Sequence, residues 1–243
     1  MTGPSGLLGE RESLLRGRAR AAIEDLRAEL AAFGASREDL DLLRQAARDL
    51  DELFMLVIVG EFNSGKSALI NSLVGAELLE EGVTPTTSSI NILRYGPERA
   101  ERWAGEHVLE RAFDHPLLRD VAVVDTPGTN AVLRAHQELT EDFVPRSDLV
   151  LFVTSVERPF TESERAFLEA IRAWGKKVVL VVNKIDLLRR PGDLEQVLDF
   201  VGQNVQALLG FRPRIFPVSA VRARESAQGV ADPDFDRFSR FLT

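Results

Sequence analysis

The octapeptide Gly60-Glu61-Phe62-Asn63-Ser64-Gly65-Lys66-Ser67 follows the apolar run 54–59 and leads into a helical stretch, Ala68 to Val74. Its spacing is G-x-x-x-x-G-K-[ST]. Glycines let consecutive backbone N–H groups curl inward, and a helix N-terminus adds the positive end of its dipole, so this strand–loop–helix unit is expected to cradle phosphate. On that reading Gly60, Glu61, Asn63, Ser64, Gly65, Lys66, Ser67 and Ala68 line a nucleotide. Lys66 reaches the β- and γ-phosphates, and the Ser67 hydroxyl ligates Mg²⁺. The motif alone leaves adenine and guanine nucleotides both open.

Further loops narrow the choice. Asp125-Thr126-Pro127-Gly128 closes the apolar run Val121 to Val124. Beside a phosphate site, Asp125 is expected to hold Mg²⁺ through water, and the Gly128 N–H to contact a γ-phosphate and release it after hydrolysis. Asn183-Lys184-Ile185-Asp186 ends another apolar run. The Asp186 carboxylate can accept from guanine N1–H and the exocyclic amine. Adenine offers neither donor, so a carboxylate facing it would be left unpaired at a cost of a few kcal/mol. Asn183 is expected at the base edge and against the phosphate loop, with the Lys184 stem along the ring. Ser219-Ala220 is placed to offer a backbone N–H to guanine O6. Between the first two loops stands Gly82-Val83-Thr84-Pro85-Thr86-Thr87-Ser88. A threonine here would reach Mg²⁺ with its hydroxyl and orient the attacking water with its carbonyl. Thr87 is favoured, ahead of Thr86 and Thr84.

These loops need a scaffold. Strand-like runs occur at 54–59, 89–94, 121–125, 149–154, 178–183 and 214–218, with helical patterns at about 66–75, 137–144, 161–174 and 193–209. Four of the strand runs are almost wholly apolar, as parallel strands covered on both faces are. The alternation predicts an α/β fold of three layers, with a mixed, mostly parallel sheet of six or more strands. The 89–94 run alternates polar and apolar residues and is expected at an antiparallel edge. Ahead of it, residues 7–53 read as two helices. Leu15, Ala19, Ile23, Leu26, Leu30 and Phe33 form one apolar stripe, Gly34 stops it, and Ser36 starts a second helix with Asp39 three residues on. The expected division is 1–53 helical, 54–222 catalytic, and 223–243 a linker with the start of another helix.

Composition limits the rest. The net charge is −8, with 30 basic against 38 acidic residues, which argues against a nucleic-acid partner. There is no cysteine, so disulfides and thiolate metal sites are excluded. The N-terminal twenty residues are too charged for a signal peptide, and no apolar run approaches a membrane span. A cytoplasmic protein is expected.

Together, Gly60–Ser67, Pro85-Thr86-Thr87-Ser88 and Leu93-Arg94-Tyr95-Gly96 resemble the GTPase domain of bacterial dynamin-like proteins. The segments 139–149 and Arg158-Pro159-Phe160-Thr161-Glu162-Ser163-Glu164 are similar to the mitofusin- and FZO-like branch. The resemblance covers roughly residues 50–220. It implies Mg²⁺-dependent GTP hydrolysis to GDP and phosphate, homodimerisation across the nucleotide, and membrane remodelling through a distal tip that this chain lacks. The full-length protein would be peripherally membrane-associated. It also implies that residues 1–53 belong to a neck or bundle, and that Phe235–Leu242 begins a bundle helix that stops too soon, as in an N-terminal fragment. After Gly128 comes Thr129-Asn130 rather than a water-orienting glutamine, and Asn63 stands where dynamins place a catalytic serine. Lys66, Ser67, Thr87, Asn63 and Gly128 are the expected catalytic set, with His136 a candidate at the dimer interface. Two other readings stay open: a regulatory or ribosome-assembly GTPase switch, and a nucleotide-binding scaffold without turnover.

Overall fold

Runs of valine, isoleucine and leucine with no polar face can form a sheet without exposing apolar side chains only if both faces are covered. The computed structural model, which describes residues 10–51, 54–81, 89–126, 143–226 and 232–242, shows that solution. Strands β1 (Phe54–Gly60), β5 (Val121–Asp125), β6 (Leu149–Ser155), β7 (Val178–Asn183) and β8 (Ile215–Pro217) run parallel at the centre and one side of an eight-stranded sheet. With β2 (Ile90–Tyr95), β3 (Ala100–Trp103) and β4 (Val108–Phe113) on the other side, its order is β3-β4-β2-β5-β1-β6-β7-β8. One face is covered by α3 (Lys66–Val74), α6 (Ala220–Ser226) and α7 (Pro233–Leu242), and the other by α4 (Glu162–Ala173) and α5 (Asp193–Leu209). This is the expected three-layer α/β fold with a mixed, mostly parallel sheet.

The strand β2 (Ile90–Tyr95) corrects one expectation. It is antiparallel to β5 as predicted, but it is not an edge: β4 (Val108–Phe113) pairs with it in parallel, and β3 (Ala100–Trp103) extends the sheet beyond β4. The sequence hides this extension because β3 is charged and β4 sets Glu110 and Arg111 between its buried Leu109 and Phe113. Arg102 faces Glu110 across the pair at 2.5 Å, Arg111 faces Glu101 at 3.7 Å, and all of β3 is exposed. An edge ribbon needs cross-strand pairing rather than an apolar face.

Helices α1 (Glu10–Ala32) and α2 (Arg37–Asp51) pack against each other. The Ser36 hydroxyl accepts from the Asp39 N–H at 3.1 Å and donates to its carboxylate at 2.6 Å, the cap read from the sequence. The stripe on α1 is not enclosed, since Leu15, Leu26 and Phe33 remain exposed. At the other end, the expected boundary at 222 falls inside α6. Beyond it α7 seats Phe235 and Phe238 in the core beside α3, with the Phe238 ring 5.4 Å from Phe216. Among the described residues no helix is long and apolar enough to cross a membrane.

Candidate functional site

The phosphate loop lies where β1 gives way to α3, and its curvature follows from two glycines. Gly60 has φ of 152°, and a Cβ there would stand 2.0 Å from the Val153 carbonyl oxygen on β6. Gly65 has φ of 87°, and a Cβ would stand 2.3 Å from the Asn183 amide. Each position therefore excludes any side chain by backbone conformation and by close approach. Asn63 also adopts positive φ, at 63°, and is exposed. Asparagine tolerates that region better than other non-glycine residues, so its presence has a conformational reason beside the catalytic one expected for it.

Lys66 opens α3 and is buried. Its ammonium donates to the carbonyls of Gly60 at 3.1 Å and Glu61 at 3.0 Å. Burial lowers its pKa, against the raising influence of Asp125, Glu164 and Glu61. The Ser67 hydroxyl donates to one oxygen of Asp125 at 3.3 Å, while the other carboxylate oxygen is buried with no hydrogen-bond partner. Burial pushes the Asp125 carboxyl up to about 6, against the pull of Lys66 and the Ser67 hydroxyl. A buried carboxylate oxygen left open beside a hydroxyl is a donor set that suits a hard, oxygen-seeking cation. Thr126, next in the chain, donates to the Ile58 carbonyl at 2.9 Å and fixes the end of β5 against β1.

The loops expected to recognise the base meet the loop 60–67 through one side chain. Asn183, at the end of β7, donates its amide to the Ser64 carbonyl at 3.0 Å. Its oxygen accepts from the N–H groups of Lys184 at 2.8 Å and Ala220 at 3.2 Å. Lys184 takes positive φ, 65°, turning the chain so that Asp186 comes beside Ser219, whose hydroxyl donates to its carboxylate at 2.5 Å. The fully buried Ser219 also accepts from the Arg222 N–H at 3.1 Å, which anchors it to α6. The Lys184 ammonium pairs with Glu157. Ala68, one turn into α3, accepts through its carbonyl from Ser72, which also binds the Ala220 carbonyl at 2.9 Å. Two segments separated by more than a hundred residues are thus stitched into one concave surface.

Thr84, Thr86, Thr87, Gly128, Thr129, Asn130 and His136 lie outside the described residues. So does most of the helix expected at 137–144.

One residue at the site was not singled out from the sequence for a role. Glu164 in α4 is buried and accepts from the Thr154 hydroxyl and the Thr161 N–H, both at 3.0 Å. Burial pushes its carboxyl up to about 7, against the hydrogen bonds it accepts. The sequence carried its signal, because Thr161-Glu162-Ser163-Glu164 is a capping box, and both of its reciprocal bonds form.

A protein-family model described as 50S ribosome-binding GTPase matches residues 55–184. The chain is 45% identical over 202 residues to a probable transmembrane GTPase, FZO-like, chloroplastic, of Arabidopsis thaliana, covering 80% of this chain and 22% of that protein. It is 27% identical over 286 residues to a bacterial dynamin-like protein of Nostoc punctiforme, covering 89% of this chain and 40% of the relative. Among solved structures, an oligomerised bacterial dynamin pair, described as providing a mechanism for long-range sensing and tethering of membranes, superposes with a TM-score of 0.70. The identity is 18%, over 95% of this chain and 43% of that one. That likeness establishes the fold, and the chain spans well under two thirds of the length of these relatives.

Proposed function

Because the chain belongs to the GTPase family described as 50S ribosome-binding GTPase, with dynamin-like GTPases among its curated relatives, we propose that it is the Mg²⁺-dependent motor of a dynamin-like membrane-remodelling protein. The reaction is GTP plus water to GDP and phosphate. The observation that carries the reading is the Asn183 side chain, which binds the Ser64 carbonyl and the Ala220 N–H together. One nucleotide can therefore lie with its phosphates on the loop 60–67 and its base between Asp186 and Ala220.

In this mechanism the N–H groups of the curled loop and the Lys66 ammonium bind the β- and γ-phosphates and stabilise charge that spreads onto them as the γ-phosphoryl group departs. Lys66 exchanges its two carbonyl partners for phosphate oxygens. Ser67 and Asp125 would hold Mg²⁺, with Thr87 completing the set; bound there, the ion neutralises charge on the phosphate oxygens. Asp186, aimed by Ser219, selects guanine. Gly128 supplies an N–H to the γ-phosphate, and Asn63 steadies water or a transition-state oxygen. With no charged residue at position 63, the lone domain turns over slowly and is accelerated when two domains meet across the nucleotide. Membrane contact belongs to regions beyond this chain, and the full-length protein is peripherally attached on the cytoplasmic side.

Two measurements test the reading. Lys66→Ala should lower GTP affinity by about a hundredfold, the loss of a charge-assisted contact in a buried site; titration with a fluorescent GTP analogue checks it, and unchanged affinity contradicts the site. Turnover per enzyme should rise with enzyme concentration, with dimers seen by light scattering in the presence of a transition-state mimic. The family description favours a second reading, a switch acting on a ribosomal or protein partner. Strictly proportional turnover with no dimer under any nucleotide would select it.

A further inference from the structure

Three neighbouring strands carry the loops of the site in a fixed order. β6 lies between β1, which leads into the loop 60–67, and β7, which leads into the loop 183–186. The turn that leaves β6, residues 156–160, therefore stands between the two. On one flank Ser155 is in register with Asn183, and the Val156 N–H donates to the Asn183 carbonyl at 3.1 Å. On the other, just past the turn, the Ser163 hydroxyl donates to the Glu61 carboxylate at 3.1 Å. Phe160, at φ of 63°, folds the connection back so that its N–H reaches the Thr154 hydroxyl at 3.4 Å. From this braced turn Glu157 accepts a hydrogen bond from the Lys184 ammonium.

A lysine has a flexible four-carbon stem and, left alone, carries its ammonium into water. Lys184 keeps only 22% of its side chain exposed. It runs from the end of β7 toward the end of β6, which is the direction of the loop 60–67. A nucleotide with its phosphates on that loop and its base beside Asp186 spans the same gap. We infer that Glu157 is a positioning residue for guanine-nucleotide binding: it holds the Lys184 stem extended along the path of the nucleotide, so that the stem need not be ordered when the ligand arrives. The pair is partly exposed, so its contribution is modest and sensitive to salt. The inference rests on the reading of residues 183–186 as the base site.

The test compares the wild-type chain with Glu157→Gln, Lys184→Ala and the double variant. Thermal melting checks that each is folded, and titration with fluorescent GTP and GDP measures affinity at low and high salt. Competition by inorganic tripolyphosphate reads the phosphate loop without a base. Glu157→Gln is expected to bind GTP and GDP about threefold more weakly at low salt, with the loss fading as salt screens the pair. Removing a carboxylate near a polyanion would by charge alone strengthen binding, so a loss marks positioning. Tripolyphosphate should bind Glu157→Gln no less well than wild type. In the Lys184→Ala background the Glu157 substitution should cause no further loss, because the stem that it positions is gone. Undiminished GTP affinity of Glu157→Gln at low salt, an equal loss in the Lys184→Ala background, or a parallel loss for tripolyphosphate overturns the inference. If Lys184→Ala loses affinity while Glu157→Gln keeps it, the positioning role fails and the base site stands. If the wild type binds no guanine nucleotide, both fail.

Discussion

At the scale of single residues, the proposed recognition of the base reduces to where one carboxylate points. Asp186 is held by the Ser219 hydroxyl, which is itself fixed by the Arg222 N–H. A carboxylate so restrained can accept from two guanine donors without first losing rotamer freedom. Asp186→Asn keeps an oxygen for Ser219 but turns an NH₂ toward the base, where guanine presents donors and xanthine a carbonyl. The variant should lose GTP affinity by about a hundredfold and bind xanthine nucleotides better than guanine ones. Competition binding with GTP and XTP measures this, and retained guanine preference would place the base elsewhere. Asn183 shows how little room such a site leaves. Its amide lies where a Cβ on residue 65 would stand, so the glycine of the phosphate loop is demanded by a residue 118 positions away.

At the scale of elements, the sheet's two faces have different tasks. Helices α4 and α5 cover one face with Phe167, Leu168, Ile171, Val201 and Val205. The other carries α3 and α6, which lead out of the phosphate and base loops, and it is completed by α7. The Phe238 ring is fully buried, tilted against Phe216 and edge-on to Phe235 at 6.1 Å. Phe238→Ala should cost about 3–5 kcal/mol of unfolding free energy by leaving a cavity behind α3. Urea unfolding measures the loss, and a cost below about 1 kcal/mol would mean that α7 is dispensable to the core. The ribbon of β4 and the edge strand β3 makes a contrasting case, because its surface ion pairs are worth little and its register does the holding.

At the scale of the whole molecule, folding buries a carboxylate that titrates near neutrality. Glu164 is held at about 7, raised chiefly by burial, from an ordinary 4.5. The folded chain therefore binds this proton more tightly than the unfolded chain does. The favourable contribution is fully present below about 4.5 and is lost as pH rises through 7. Relative to Glu164→Gln, the nucleotide-free wild type should gain on the order of 2 kcal/mol of stability between pH 8 and pH 5. Urea midpoints at the two pH values test it, and parallel curves for the two proteins would contradict it.

The amino-acid sequence by itself determined the α/β alternation, the three-layer class and the spacing of the loops proposed to bear nucleotide chemistry. Each is written in short-range terms: apolar runs of strand length, Gly65-Lys66-Ser67 at the mouth of a helix, Asn183 to Asp186 at the end of another strand. It also held the capping box at Thr161 and Glu164, though not the knowledge that this glutamate faces inward. Tertiary structure alone decided the interior place of β2, because β3 is charged and wholly exposed and β4 breaks its apolar residues with Glu110 and Arg111. It alone brought Ser163 to Glu61 and Thr154 to Glu164. Those bonds join residues ten to more than a hundred positions apart, and no local spacing records a contact that exists only once the sheet has assembled.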